Sequence, residues 1–352
     1  MTGSSPPNEV LLITIPFDAY PDSYALLQTL QPGMEIIHYN AGAGDADSIP
    51  AADWARTTVH LTHSLFATSR EQCPRLKWVY LYSGGINQAL HAPLLHDRNI
   101  HWTRNSGVHA PQIAEWAVGM LLAHFRQMPR LLQWQQEGVW RASEYRTRGD
   151  LLGKTVAFLG YGAIARHTAR IVKACGMRVV AYTLHEKTTA AQRVSTTFTP
   201  ENTGDAAGEL PEAWYHGDLD SFLNTVQTKI DVLVIALPST DKTRGSIGRA
   251  QFDKLRGCYI INVARGDIVK TDELVVALND GTLLGAALDV TDPEPLPESH
   301  PLWTARNTIV TPHISGVSDE YMPRTIAILD ENLRRLHSGR ELINQIQRED
   351  GY

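Results

Sequence analysis

Hydrophobic positions along the chain fall into short runs that alternate with stretches of helical spacing. The runs VLLITI (10–15), EIIHY (35–39), VHLTH (59–63) and LKWVYL (76–81) are rich in β-branched and aromatic residues and predict strands. SYALLQTL (23–30) lies between the first two and repeats its apolar residues at helical intervals. Such alternation predicts βα units on a parallel sheet. One long helix is expected from 111 to 137, with Pro111 in its first turn, where an N–H would have no partner anyway. The alternation then restarts, with strands at 155–160 and 177–183 around a helix at 163–175. The later runs IDVLVIAL, CYIINVA, LLGAALDV and NTIVTPH are apolar almost throughout, as strands covered on both faces are. KTDELVVALNDG (270–281) reads as a helix closed by Gly281, and the segment after 317 as a helix with Pro323 in its early turns.

Two α/β units in tandem, joined by the long helix, suit a chain of 352 residues. The stretch 185–218 breaks the pattern and is long for a βα connection. A formal net charge of -6 and the lack of a Lys/Arg tract exclude a basic nucleic-acid-binding surface as the expectation. No apolar run reaches the length of a membrane span, so no membrane partner is expected. The first ten residues lack a basic region followed by an apolar one, which makes the reading cytoplasmic. Cys73, Cys175 and Cys258 form no CxxC pair; the odd count predicts core thiols in a reducing compartment, and no metal site is expected.

Four segments carry chemistry. Gly160-Tyr-Gly162-Ala163-Ile164-Ala165 matches G-x-G-x-x-G/A between a strand and a helix. There the first glycine allows a tight turn, the second lets a pyrophosphate approach the backbone, and the small third residue lets helix and strand pack closely. The acid that normally follows the second strand is missing; Thr183, His185 and Lys187 stand there instead. Arg265 follows an apolar strand, and arginine suits two-pronged binding of a carboxylate. Glu294 sits between Pro293 and Pro295 in an acidic loop, and His313 follows the last apolar strand. A lone histidine is usually structural. Together these three offer a carboxylate, an imidazole and a guanidinium at the carboxyl ends of strands, a plausible acid/base and anchor set.

In these motifs, and in LPSTDKTRG (237–245), NVARG, DVTDPEPLP and TPHISG taken in order, the chain resembles the D-isomer-specific 2-hydroxyacid dehydrogenases. The resemblance covers nearly the whole chain. It implies two doubly wound parallel-sheet domains of the α/β class, a Rossmann dinucleotide domain (107–316) inserted in a split flavodoxin-like substrate domain (1–106 and 317–352). It implies reversible hydride transfer between a nicotinamide and the C2 of a 2-oxo or 2-hydroxy acid. His313 is then the acid/base, Glu294 orients its imidazole and favours the protonated form, and Arg265 anchors the substrate. Ser83, Gly84 and Gly85 resemble the loop that holds the substrate carboxylate. Leu237, Pro238, Thr243, Val263, Ala264 and Asp289 are expected along the dinucleotide, the last three near the nicotinamide.

The missing acid implies NADP(H) as the preferred cofactor with NAD(H) possible, because an acid hydrogen-bonds the ribose 2′-hydroxyl and repels a 2′-phosphate. A homodimer is expected through Ile113, Trp116, Ala117, Met120 and Leu121 of the long helix. The substrate side chain is expected to meet IPFDAY (15–20) and Tyr82, with Trp134 or Trp140 entering from a partner subunit. The rival reading is a nicotinamide-responsive corepressor-like interaction protein on the same fold.

Overall fold

In the N-terminal unit, β1 (Val10–Ile13), α1 (Pro21–Leu30), β2 (Glu35–His38), α2 (Ala51–Arg56), β3 (Val59–Thr62), β4 (Trp78–Leu81) and β5 (His101–Arg104) follow in chain order. The strands pair in parallel in the order β2-β1-β3-β4-β5, a flavodoxin-like winding. Residues of β1, β3 and β4 are buried throughout, with His60 and Thr62 of β3 buried among apolar neighbours. The computed structural model describes residues 9–17, 20–40 and 46–346. The segments of that range in Met1–His109, Thr196–Phe198 and Ser318–Tyr352 form one compact unit, and those in Ala110–Ser195 and Thr199–Val317 form the other.

The expected single helix from 111 to 137 is two, α3 (Ala110–Phe125) and α4 (Met128–Glu137). Gln127 between them is left-handed, at φ 53°, and Pro129 opens α4. Proline lacks an N–H and its ring clashes with the preceding turn, so one helix cannot run through it. Ile113, Ala117 and Leu121 are buried in the core of their own unit, and Trp116 and Met120 pack against the same cluster. Ile113, Ala117 and Leu121 are thus covered within their own unit, which holds α5 (Ala163–Ala174), and are not free to form a pairing face, while Trp116 and Met120 remain half-buried. Trp134 is likewise buried, with the Arg130 guanidinium 4.6 Å from its ring, so it is not free to enter a neighbour. Trp140 is exposed.

The second sheet holds β6 (Thr155–Leu159), β7 (Arg178–Thr183), β8 (Ala213–His216), β9 (Val232–Ile235), β10 (Tyr259–Asn262), β11 (Gly285–Leu288) and β12 (Thr308–Val310). Its order, β12-β11-β10-β9-β6-β7-β8, reverses direction at β6. That is the Rossmann winding extended by one strand, with the ligand crevice expected outside the carboxyl ends at the reversal. Helices α6 (Ala190–Arg193), α7 (Leu219–Thr225), α8 (Arg249–Lys254) and α9 (Thr271–Asn279) fill the connections. Helix α10 (Tyr321–His337) returns to the first unit, where Met322, Ile326, Leu329 and Leu333 pack with Leu27, Trp78 and Tyr80.

The irregular stretch 185–218 is built rather than loose. The buried Arg166 of α5 donates to the carbonyls of Tyr161, Asp205 and Arg193. Asp205 accepts from the Tyr161 hydroxyl and the Glu209 and Leu210 N–H groups at 2.9, 2.9 and 3.2 Å. Residues 196–198 belong to the first unit, where the Phe198 N–H donates to Asn344 Oδ1 at 3.0 Å. A side chain on Gly107 would collide with the Phe198 carbonyl, so a glycine is needed at that crossing.

Cys73 and Cys258 are buried and Cys175 is half-buried, all as free thiols. Burial pushes the Cys73 thiol up to about 11 and the Cys258 thiol higher still, which makes both inert. Among the described residues no helix is long and apolar enough to cross a membrane, and no group of three or more His, Cys, Asp and Glu residues is arranged to hold a metal.

Candidate active site

Gly160 ends β6 at φ 87°, and a Cβ there would stand 2.7 Å from the Ala236 carbonyl, so the turn admits only glycine. Gly162 has no atom within 4 Å of where its Cβ would be. That open space lies at the N-terminus of α5, where Gly162 supplies no side-chain cap and the N–H groups of Ala163, Ile164 and Ala165 have no helical acceptor. A pyrophosphate needs such a surface: free N–H donors, a partial positive charge and no Cβ in the way. The fully buried Ala165 keeps α5 close to the sheet.

Past β7 the sequence offered Thr183, His185 and Lys187. The Thr183 hydroxyl donates to the His185 carbonyl at 2.8 Å and so shapes the loop. Arg193 Nε donates to the Lys187 carbonyl at 2.8 Å, while its guanidinium lies 5.6 Å from the Trp214 ring. Glu186, the one acid in this loop, points to His216 at the end of β8, 3.5 Å from its Nε2. Among the described residues no carboxylate comes within ion-pair distance of the Lys187 ammonium, and His185 is exposed. Arg193 and His216 were not singled out in the sequence. Both act through tertiary contacts, which no local pattern announces.

Leu237 and Pro238 follow β9, and the Thr243 hydroxyl closes the loop onto them by donating to the Pro238 carbonyl at 2.6 Å and accepting from the Thr240 N–H at 2.8 Å. Val263 and Ala264 are buried at the end of β10, where the Asn262 side chain accepts from the Ala264 N–H and donates to the Arg265 carbonyl. Arg265 is half-buried, with one guanidinium nitrogen donating to the Ala264 carbonyl at 2.7 Å. A Cβ on Gly266 would stand 2.0 Å from the Thr291 carbonyl oxygen, so the arginine strand-end and the Glu294 loop press together at a glycine.

His313 follows β12 with φ 55°, a left-handed conformation that is uncommon for a non-glycine residue. Its Nδ1 donates to Glu294 Oε1 at 2.6 Å, which leaves Nε2 outward on a half-exposed ring. Asp289 fixes the turn beneath it. This buried carboxylate accepts from the Thr311 hydroxyl at 2.6 Å, from the Ile314 and Ser315 N–H groups at 2.9 Å each, and from the Ser315 hydroxyl. Asp289 was expected beside the nicotinamide; its carboxylate also holds the turn that presents His313. The strand ends carrying Arg265, Asp289 and His313 are β10, β11 and β12, three neighbours in the sheet.

In the first unit, the Ser83 hydroxyl donates to the Gly85 carbonyl at 2.7 Å and receives the Gln88 amide. Among the described residues the N–H groups of Gly84 and Gly85 have no acceptor, and both residues are only half-buried. Two adjacent open N–H groups suit a carboxylate.

A Rossmann winding with open pyrophosphate donors defines a protein of the dinucleotide-binding class. The family model for the D-isomer specific 2-hydroxyacid dehydrogenase NAD binding domain matches residues 118–206 and 211–315, and the chain belongs to that family. The glyoxylate reductase of Thermofilum pendens is 30% identical over 277 residues, covering 78% of this chain and 75% of that protein. A D-isomer specific 2-hydroxyacid dehydrogenase from Xanthobacter autotrophicus, solved in complex with NADPH and MES, superposes with a TM-score of 0.75 at 25% identity, over 98% of this chain and 100% of the other. A probable 2-hydroxyacid dehydrogenase from Rhizobium etli, solved with NADP, HEPES and tartaric acid, gives 0.73 at 25% identity, over 98% and 99%. The interaction-protein reading gains nothing from these relatives, which carry reductase and dehydrogenase names.

Proposed function

We propose that the protein reduces a 2-oxo acid to a D-2-hydroxy acid, reversibly, with NADP(H) preferred over NAD(H). The observation that carries this is the Glu294–His313 pair at 2.6 Å, held at the end of β12, one strand removed from the β10 end that carries Arg265. When bound, the dinucleotide supplies hydride to C2 or accepts it. His313 Nε2 gives a proton to the carbonyl oxygen in reduction and takes the hydroxyl proton in oxidation. Glu294 holds the ring in the tautomer that leaves Nε2 free. Arg265 binds the substrate carboxylate and polarises the carbonyl. The open Gly84 and Gly85 N–H groups support reading the first unit as the substrate domain, since two adjacent donors suit a carboxylate. Asp289 is a positioning residue for His313. The NADP(H) preference rests on Lys187 and on the absence of an acid facing it.

The test is oxidation of NADPH and of NADH, followed by absorbance, against a panel of 2-oxo acids. Turnover of none of them overturns the reading. We also propose a homodimer. Its support is now the apolar side chains left outward on α3 and α4, Leu122, Met128 and Leu132. A monomeric mass by light scattering at micromolar concentration overturns it.

A further inference from the structure

Around the open N–H groups of Gly84 and Gly85 the first unit gathers aromatic rings. The Tyr82 and Tyr321 ring centroids are 4.8 Å apart, and His109 stands edge-on to Tyr321 at 4.5 Å. His109 Cε1 would lie 3.4 Å from a Cβ on Gly84, so this ring borders the glycine loop directly. Tyr20 reaches the Tyr82 hydroxyl as a hydrogen-bond partner, and Tyr20, Tyr82 and Tyr321 are partly buried against the core that contains Phe17.

The hydroxyls are engaged within the protein. Tyr321 donates to the Tyr82 carbonyl at 2.5 Å, and that carbonyl also accepts from the Asn105 amide at 3.0 Å. Burial raises the Tyr82 and Tyr321 phenols above their ordinary range, so both stay neutral. What this wall offers a substrate is therefore mostly ring surface, with few unspent polar groups. A one-carbon or hydroxymethyl substituent would leave that surface wet. An aryl substituent would cover it in edge or offset contacts.

We propose that Tyr20, Tyr82, His109 and Tyr321 select a 2-oxo acid carrying an aromatic ring on C3. The inference rests on the reductase reading above. Hydride transfer and protonation at C2 are unchanged; the aryl group takes no part in the chemistry and contributes only to binding.

The experiment compares kcat/KM for phenylpyruvate, glyoxylate and hydroxypyruvate with NADPH in the full-length protein. Phenylpyruvate is expected to exceed both small acids by on the order of tenfold or more. Tyr82→Ala should lower the phenylpyruvate-to-glyoxylate ratio by about tenfold, chiefly through KM, while Tyr82→Phe retains the ratio. If Tyr82→Ala does not fold, as judged by circular dichroism, Tyr20→Ala decides by the same ratio. Turnover of the small acids with equal or slower use of phenylpyruvate overturns this inference and leaves the reductase reading standing. An unchanged ratio in the folded alanine variant overturns it too. Turnover of no acid overturns both.

Discussion

His313 Nδ1 stands 2.6 Å from Glu294 Oε1, and the carboxylate thereby decides which ring nitrogen faces outward. His313→Ala should lower kcat by roughly two to four orders of magnitude, the usual reach of a general acid–base group. Glu294→Gln keeps a weaker acceptor at Nδ1 and holds the ring less firmly, so kcat should fall by about tenfold. Steady-state rates of both variants check this, and near wild-type rates in His313→Ala would remove the assignment.

Asp289 accepts four hydrogen bonds from the segment 311–315. In Asp289→Asn one oxygen becomes an NH2 group, which cannot accept from the Ser315 N–H. Leaving a buried donor unpaired costs about 1–3 kcal/mol. The turn should loosen, and kcat should fall by about tenfold even well below the melting temperature, since small misplacements of a reacting group are costly. Equilibrium titration of the dinucleotide separates the two roles. An unchanged Kd is expected if Asp289 positions His313; a weakened Kd would restore the contact with the nicotinamide suggested by the sequence.

His60 is buried in the first unit, where its Nε2 pairs with the Thr14 hydroxyl at 2.9 Å and its ring meets Trp54 edge-on. Burial lowers it to about 3. The unfolded chain therefore binds a proton here below about pH 6.5 that the folded chain does not take up until about pH 3. Stability contributed by this group is full above the unfolded value and is lost as pH falls through that window. It should drop by about 2 kcal/mol between pH 7 and pH 5. Urea unfolding at both pH values in wild type and in His60→Gln checks it: the variant should be less stable at pH 7 but show a flatter pH dependence. Parallel slopes would refute the assignment.

Much of the second sheet was legible because its strands are continuous apolar runs, and a strand covered on both faces has no other composition open to it. The glycine turn was legible for a similar reason, since close backbone approach leaves no alternative residue at Gly160. Strand β5 was not. It is only HWTR, with His101 exposed and Arg104 half-buried, and it exists because β4 offers it an edge. Strand β8 is hidden in the irregular stretch for the same reason. The hydrogen bonds of Asp289 to Thr311, Ile314 and Ser315 were not legible, because a strand-end acid reads the same whether or not it also holds the turn behind it.

The loop after β7 bears on the choice of cofactor. Glu186 is drawn aside toward His216, while the Lys187 backbone is held by Arg193. The loop thus keeps a cation and removes its only acid from competition. A 2′-phosphate carries close to two negative charges, and a nearby ammonium favours it where a ribose hydroxyl gains little. The exposed His185 in the same loop is the second candidate contact. Two such contacts on a partly exposed phosphate correspond to about a ten- to hundredfold preference in kcat/KM for NADPH over NADH. Lys187→Ala should reduce the ratio by about tenfold. Glu186→Gln should leave the ratio near the wild-type value, because that carboxylate faces His216 and not the phosphate. Equal use of the two cofactors by the wild type would sink the preference. A ratio untouched in Lys187→Ala would clear the lysine and turn attention to His185 and Arg193. A ratio that rises severalfold in Glu186→Gln would mean that its carboxylate reaches the phosphate after all.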